Sequence, residues 1–295
     1  MNATEKLIEL PVDLTNPGQF FACCGVLELA SRLDPNAEGC FVGRQFRIRC
    51  SLSFEELIHS LRHAKVKNTM STQDVFRMEE LAAMPKKERE KAGLEEEKKA
   101  LDSKRREEPV LFQFHDQTPF DFIVDWFRDG EAGGSRFKTW AGQQSVLDIA
   151  TAMYDGLNEL SPQQPCSLWN SLRGRGLPFN FDSELGGQGS ALDIGFSFDP
   201  LSGNELTRIE GACRPGLEVL SFLGLQRFRP REISRQNRFV YTAWHQFLPP
   251  SVAAAVACQS IEDGQTRSYE FRLLYRTKYL KSFLPAIPFQ GDQHE

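Results

Sequence analysis

The most constraining feature of the sequence is an apolar run near its start that is too dense for an ordinary surface helix. Residues 20–33 follow Asn16 and Pro17, which can cap a helix and occupy its first position. A surface helix buries one apolar stripe, whereas this run is apolar around most of its circumference. We therefore expect a helix that is buried on most sides, with Gly25 at a close contact with another element.

Strand patterns flank this helix and recur along the chain. Residues 7–14 are mostly apolar and end in a turn, and residues 39–52 alternate apolar with basic side chains. Residues 110–126 read as a hairpin, and later segments alternate between helical and strand periodicity. The sequence therefore predicts a mixed α+β fold with a mainly antiparallel sheet and packed helices, opening β-α-β.

One segment departs from this pattern in its charge. Residues 86–108 contain nine basic and eight acidic residues and only two Leu. Such a run is typical of a solvated helix or a mobile insertion rather than of an arm that binds nucleic acid. We expect a charged helical insertion or linker at 85–108, between an N-terminal region, 1–84, and a C-terminal α+β region, 109–295. The two regions are also compatible with one continuous domain.

The composition indicates a globular protein without a membrane span. Apolar residues make up 40% of the chain, no run of 18 apolar residues occurs, and charged residues interrupt the first 14 positions. The seven cysteines include no C-x-x-C pair, so we expect reduced thiols, no zinc site and a cytoplasmic location. No nucleotide-binding motif is present, and no cofactor is expected.

The distribution of charge is uneven. The net charge is −5, with −8 over residues 1–204 and +3 over residues 205–295. The overall negative charge argues against general polyanion binding. Any contact with nucleic acid is therefore expected to use local basic patches.

The strongest binding candidate is a cluster of five arginines within twelve residues. They are Arg227, Arg229, Arg231, Arg235 and Arg238. A guanidinium group is a planar fork that can hold a phosphate through two hydrogen bonds. The segment follows a predicted helix and contains Pro230, so we expect a loop that contacts phosphate. The alternative is that these arginines pair with carboxylates elsewhere in the chain.

A second candidate joins a Gly-rich loop to the start of a predicted helix. Backbone N–H groups at a helix start attract anions, and Lys138 adds positive charge. Trp140 offers a stacking face, and Gln143 or Gln144 can read a base edge. The alternative for Trp140 is a place in the core.

A third basic segment lies on a late predicted strand. The segment contains Arg272, Arg276, Lys278 and Lys281, of which the first three occupy even-numbered positions and so share one side of a strand. From this segment, Arg276 and Lys278 are assigned to nucleic-acid contact.

Catalytic signals are weaker. Asp182, Glu184 and Asp193 surround a Gly-rich loop, so they form a candidate divalent-metal site of a nuclease. The favoured alternative is a turn whose acidic side chains accept bonds from backbone N–H groups. His59 and His63 lack the intervening Glu of a metallohydrolase motif. We therefore predict neither a catalytic residue nor a metal site.

Four segments resemble one protein family. Residues 16–25 (NPGQFFACCG), followed by LELA at 27–30, are similar to an N-terminal motif of small Csb-type CRISPR-associated proteins of subtype I-U, also called I-G. Three later segments resemble the same family in the same order. They are 137–144 (FKTWAGQQ), 181–187 (FDSELGG) and 224–230 (GLQRFRP).

The resemblance implies a ribonucleoprotein subunit in antiviral defence. The family is described as a version of the large subunit of the crRNA-guided surveillance complex, a Cascade-like assembly. Its expected partners are other CRISPR effector subunits, crRNA and target DNA, with sequence reading delegated to the guide. The expected function is non-catalytic contact with the crRNA handle, the target DNA or both. The alternatives are a metal-dependent nuclease and a protein scaffold that does not touch nucleic acid.

Overall fold

The fold was analysed in a computed structural model. It describes residues 5–115, 119–131, 134–140, 144–159, 178–186, 213–234, 237–259, 266–277 and 280–290.

The first unit is a three-stranded antiparallel sheet with one long helix against it. The strands are β1 (Lys6–Pro11), β2 (Glu38–Val42) and β3 (Gln45–Cys50), and their order is β1-β3-β2. Helix α1 (Pro17–Leu33) connects β1 to β2, and the Asn16 side chain caps it by accepting bonds from the N–H groups of Gly18 and Gln19. Alternation along β3 buries Phe46 and Ile48, which leaves Arg47 and Arg49 on the other face.

A second sheet and several helices follow. The sheet has the order β4-β5-β6, with β4 at Lys65–Asn68, β5 at Val110–Phe114 and β6 at Phe120–Val124. The helices are α2 (Phe54–Arg62), α3 (Thr72–Ala83), α4 (Lys86–Lys91), α5 (Glu95–Glu107), α6 (Gly134–Phe137) and α7 (Val146–Glu159). A 3-10 turn at Trp126–Arg128 follows β6. No residue of α4 or α5 is buried, as expected for helices formed by a mixed-charge segment.

The last part of the chain forms a larger antiparallel sheet. Its path is β10-β9-β8-β7, and β11 also pairs with β9. The strands are β7 (Arg231–Ser234), β8 (Arg238–Ala243), β9 (Arg267–Thr277), β10 (Leu280–Phe283) and β11 (Ile287–Pro288). The helices of this part are α8 (Ser183–Gly186), α9 (Pro215–Gly224) and α10 (Pro250–Ala257). Reciprocal 3.0 Å hydrogen bonds between Gly39 and Leu248 join β2 to the segment that follows β8.

The centre of the protein is the contact between α1 and α9. Gly25 and Gly224 lie where the two helices cross, and a side chain at either position would collide with the backbone of the other helix. The Ser221 hydroxyl donates a 2.7 Å bond to the carbonyl oxygen of Gly18 across the same interface. One hydrophobic core surrounds this pair and draws residues from Ile8 to Ala286. The close contact expected at Gly25 is therefore present.

The mixed α+β prediction, with antiparallel sheets and packed helices, is confirmed. The prediction of a loop through the arginine segment is wrong for part of its length, because Arg231–Ser234 is strand β7. An edge strand with an exposed face accommodates charged side chains, so the local charge did not exclude a strand. Among the residues that the structure describes, no helix combines the length and apolarity needed to cross a bilayer.

Candidate nucleic-acid interface

The arginine segment is divided between two parts of the fold. Arg227 pairs with Glu28 of α1, and Arg229 pairs with Asp129. Arg231 and Arg238 instead lie on the C-terminal sheet, in β7 and β8. Arg235 falls outside the described residues.

The C-terminal sheet gathers three arginines on one face. Arg238 lies directly opposite Arg272 in the pairing of β8 with β9, and Arg231 lies opposite Val240, two positions along β8. Residues paired in this way, and residues two apart on a strand, share a face of the sheet. We call Arg231, Arg238 and Arg272 the arginine face. It joins two basic segments that are separated in the sequence.

A single carboxylate organises the arginine face. Buried Glu270 accepts a 2.6 Å bond from Nε of Arg238, and Nε of Arg272 lies 3.6 Å from the same carboxylate. The hydrogen bond from Arg238 lowers the pKa of Glu270, so this group is charged at neutral pH. Like charges directly opposite on a sheet repel, and Glu270 offsets that repulsion. Among the described residues, this face holds three arginines and one carboxylate, so basic groups outnumber acidic ones.

The exposed donors of this face remain accessible. The Arg272 side chain is 62% exposed, and Arg231 is exposed while donating to the side-chain oxygen of Gln259. Arg238 is partly exposed beside Glu270. The alternative, that the arginines pair with carboxylates, therefore holds for Arg227, Arg229 and Arg238. Arg231 and Arg272 of the arginine face nevertheless remain exposed to solvent.

The second candidate segment contributes to the core. Trp140 is only 3% exposed and packs against Trp126, Phe127 and Phe179. The expectation of a stacking face at Trp140 is corrected, because its ring gains more from burial among aromatic side chains than a surface position offers.

The polar residues of that segment have mixed positions. Lys138 is partly buried with Nζ 5.2 Å from the centroid of the Trp140 ring, and burial lowers its pKa. Gln144 is partly buried, and Gln143 lies outside the described residues. In the third segment, Arg276 belongs to strand β9, whereas Lys278 lies outside the described residues.

The carboxylates considered for metal binding hold an arginine instead. Buried Asp182 accepts a 2.8 Å bond from the Asn16 amide and a 2.6 Å bond from Arg214, which also lies 2.8 Å from Glu184. Asp182 also accepts a 3.1 Å bond from the backbone N–H of Glu184, as a turn requires. Asp193 lies outside the described residues. Within the described part of the chain, no group of three His, Cys, Asp or Glu residues has the geometry to hold a metal ion.

A second buried acid lies beside this arrangement. Glu218 of α9 accepts 3.2 Å bonds from the backbone N–H groups of Phe181 and Asp182. Burial, followed by the nearby charge of Asp182, raises the pKa of Glu218 to about 8. The segment that contains Asp182 is thus fixed to the N-terminal ends of both central helices.

The segments that carry the family resemblance come together around α1 and α9. Asn16 contacts Asp182, and Gly25 contacts Gly224. Phe137 reaches the same core through Trp126, which stacks on it at 5.0 Å and lies 6.2 Å from Phe181. Parts of all four segments therefore build one structural centre, although the first and the last begin more than 200 positions apart.

Several organising residues were missed by the sequence interpretation. Glu28 and Arg32 form an i,i+4 ion pair on α1, and Arg214 precedes Pro215 at the start of α9. The available signal was the single acidic residue within the apolar run 20–33, because a buried charge needs a partner.

Comparisons with protein-family models, with curated proteins and with solved structures find no match. The interpretation of the site therefore depends on the contacts of this chain.

Proposed function

We propose that this chain is a non-catalytic, nucleic-acid-binding subunit of a type I CRISPR surveillance complex, in contact with the crRNA handle or the target DNA. The observation that carries the proposal is the arginine face, where Arg238 and Arg272 lie opposite each other and share one buried carboxylate. The face exposes the guanidinium donors of Arg231 and Arg272, and such donors are the groups that contact phosphate.

The charge distribution supports a subunit rather than a free polyanion binder. A chain with a net charge of −5 gains little long-range attraction to nucleic acid. Binding by a local patch becomes stronger when neighbouring subunits hold the strand against it, because the effective concentration of the strand rises. Such contacts position a strand without reading its sequence, which is consistent with reading by guide pairing.

The resemblance supplies the class of complex. Its segments meet at the contact between α1 and α9, as expected of motifs that maintain one architecture. Glycines at a helix crossing and a capped helix start are structural requirements, so these motifs support membership of a family rather than a chemical reaction.

The first test is co-expression with the effector proteins and a crRNA of a subtype I-U system, followed by affinity purification through this chain. A stoichiometric complex that contains crRNA is expected. A chain that purifies alone and free of nucleic acid would overturn the proposal. If the chain co-purifies with proteins but not with RNA, and does not affect target binding by the complex, the alternative of a protein scaffold that does not touch nucleic acid is favoured.

The second test addresses the arginine face directly. Replacing Arg231 and Arg272 with Gln removes the two exposed cations and leaves the Arg238–Glu270 pair to maintain the fold. In a plot of log affinity against log salt concentration, the slope is expected to become shallower by about two. The matched control replaces Arg77 and Arg105, which are ion-paired arginines of α3 and α5. An unchanged slope in the first variant would remove this face from the interface.

A further inference from the structure

A second arginine pair lies away from the arginine face, on the buried carboxylate of Glu28. Glu28 belongs to α1 and its side chain is only 1% exposed. Its Oε1 atom accepts bonds from Nε and Nη2 of Arg32 at 2.9 and 2.8 Å, and from Nη2 of Arg227 at 3.1 Å. Its Oε2 atom accepts from Nε of Arg227. Because both arginines bond to the same oxygen atom, their guanidinium groups lie side by side.

The two arginines come from the C-terminal ends of the two central helices. Arg32 lies in the last turn of α1. Arg227 lies just after α9, where its backbone N–H donates a 3.2 Å bond to the carbonyl oxygen of Gly224. Helix C-termini carry partial negative charge, which favours cations at both positions. The contact between α1 and α9 therefore fixes the spacing of the pair.

Each arginine faces Glu28 with the same edge and presents the other edge outward. Nε and Nη2 of both side chains are engaged, and the described contacts of the chain give neither Nη1 group a hydrogen-bond acceptor. The side chains are 41% and 35% exposed, so both guanidinium-bearing side chains are accessible to solvent. The Arg32 guanidinium also lies 5.2 Å from the centroid of the Phe122 ring, which restricts its movement.

The number of charges distinguishes this pair from a purely structural ion pair. One arginine is sufficient to neutralise a buried carboxylate, and the second leaves an excess positive charge. Two adjacent guanidinium groups with free donors match the oxygen atoms of a phosphate group. Their orientation is already fixed by Glu28, so binding would cost little additional side-chain entropy.

We propose that Arg32 and Arg227, oriented by Glu28, form a clamp for one phosphate group of a nucleic acid strand. The identity of this ligand rests on the proposed function, whereas the anion-binding chemistry does not. A phosphodiester and a terminal phosphate present the same oxygen chemistry, and the test separates them.

The test uses the full chain and fluorescein-labelled single-stranded RNA, with affinity measured by anisotropy from 50 to 400 mM salt. Arg32→Gln and Arg227→Gln are made separately, because each leaves the other arginine on Glu28 and so keeps that carboxylate paired. In each variant, the slope of log affinity against log salt concentration is expected to become shallower by about one. The factor by which affinity falls between 50 and 200 mM salt is then smaller than in the wild type by roughly threefold. Arg32→Lys keeps the charge but not the fork, and is expected to fall between Arg32→Gln and the wild type.

Arg105→Gln is the matched control. Arg105 is 36% exposed and paired with Asp148, so its loss removes the same charge from a comparable surface pair. RNA with a 5′-phosphate is compared with RNA that has a 5′-hydroxyl. A preference that depends on Arg32 identifies a terminal phosphate as the ligand, and equal affinity identifies a phosphodiester.

The outcomes separate the clamp from the proposed function. If wild-type protein binds RNA but both Gln variants behave like Arg105→Gln, the clamp is overturned and the arginine face remains. If the chain binds no nucleic acid but titrates inorganic phosphate in a manner that requires Arg32 and Arg227, the clamp stands and the proposed function fails. Binding of neither ligand overturns both.

Discussion

The contact between α1 and α9 allows the sharpest test of the architecture. A Cβ atom at Gly25 would lie 1.9 Å from the carbonyl oxygen of Leu220 and 2.8 Å from its carbon. These are backbone atoms within a helix, so they cannot rotate away as a side chain can. In Gly25→Ala, the two helices must therefore separate by about 1 Å within an interior packed at crystal-like density.

The expected cost follows from two opposing effects. Forcing an extra carbon into a packed interior typically costs about 1–3 kcal/mol, and this case belongs at or above the upper end because the obstruction is backbone. Ala is a better helix former than Gly by about 1 kcal/mol, which offsets part of that cost. We expect a net loss of about 2–3 kcal/mol and a melting temperature lower by roughly 3–5 °C.

Thermal unfolding followed by circular dichroism measures this effect. Gly130→Ala is the control, because the nearest atom to its added carbon is the Ser135 hydroxyl oxygen at 3.8 Å. The reciprocal variant Gly224→Ala is expected to resemble Gly25→Ala, since its added carbon would lie 2.0 Å from the carbonyl oxygen of Phe21. If Gly25→Ala unfolds at the same temperature as Gly130→Ala, the close helix contact described above is wrong.

Two further predictions concern buried residues of the same centre. The pKa of Glu218 is raised from 4.5 to about 8, so the folded protein keeps a proton that the unfolded chain releases, and stability should fall as pH rises between these values. The free energy of unfolding is measured by urea at about pH 5 and about pH 8. In Glu218→Gln, the loss of stability between these pH values should be smaller than in the wild type, by an amount on the order of a few kcal/mol. An equal pH dependence in both proteins would contradict the raised pKa of Glu218. Trp140→Phe should leave nucleic-acid affinity unchanged while lowering stability by about 1–2 kcal/mol, because the ring is buried and its Nε1 has no hydrogen-bond partner among the described residues. Reduced affinity without reduced stability would show that the ring contacts the ligand.

Local sequence was sufficient where local forces decide the structure. The predicted cap at Asn16 is present, because it requires only neighbouring backbone N–H groups. The apolar run of α1 required burial on most sides, and the sheets and α9 provide it. These features depend on contacts within a few residues or on composition alone.

The candidate site was less accessible to sequence reasoning, because its partners are distant in the chain. Arg227 and Glu28 are 199 positions apart, and Arg238 and Glu270 are 32 apart. No local pattern shows which arginine of a cluster meets which carboxylate, since that is decided by the packing of α9 on α1 and of β8 on β9. The position of Trp140 had the same difficulty, because an indole ring suits either a core or a surface platform.

The ratio of arginines to buried carboxylates separates the binding candidates from the structural ion pairs. Arg214 is shared by Asp182 and Glu184, so that site has more negative than positive charge and its role is to hold α8 and α9 together. The carboxylates of Glu28 and Glu270 instead each hold two arginines, so both sites retain positive charge at the surface. A buried acid therefore cancels only one charge of each pair and fixes the direction of both arginines, which lowers the entropy lost when a phosphate binds. In a chain whose overall charge repels nucleic acid, such oriented pairs are the places where contact remains favourable.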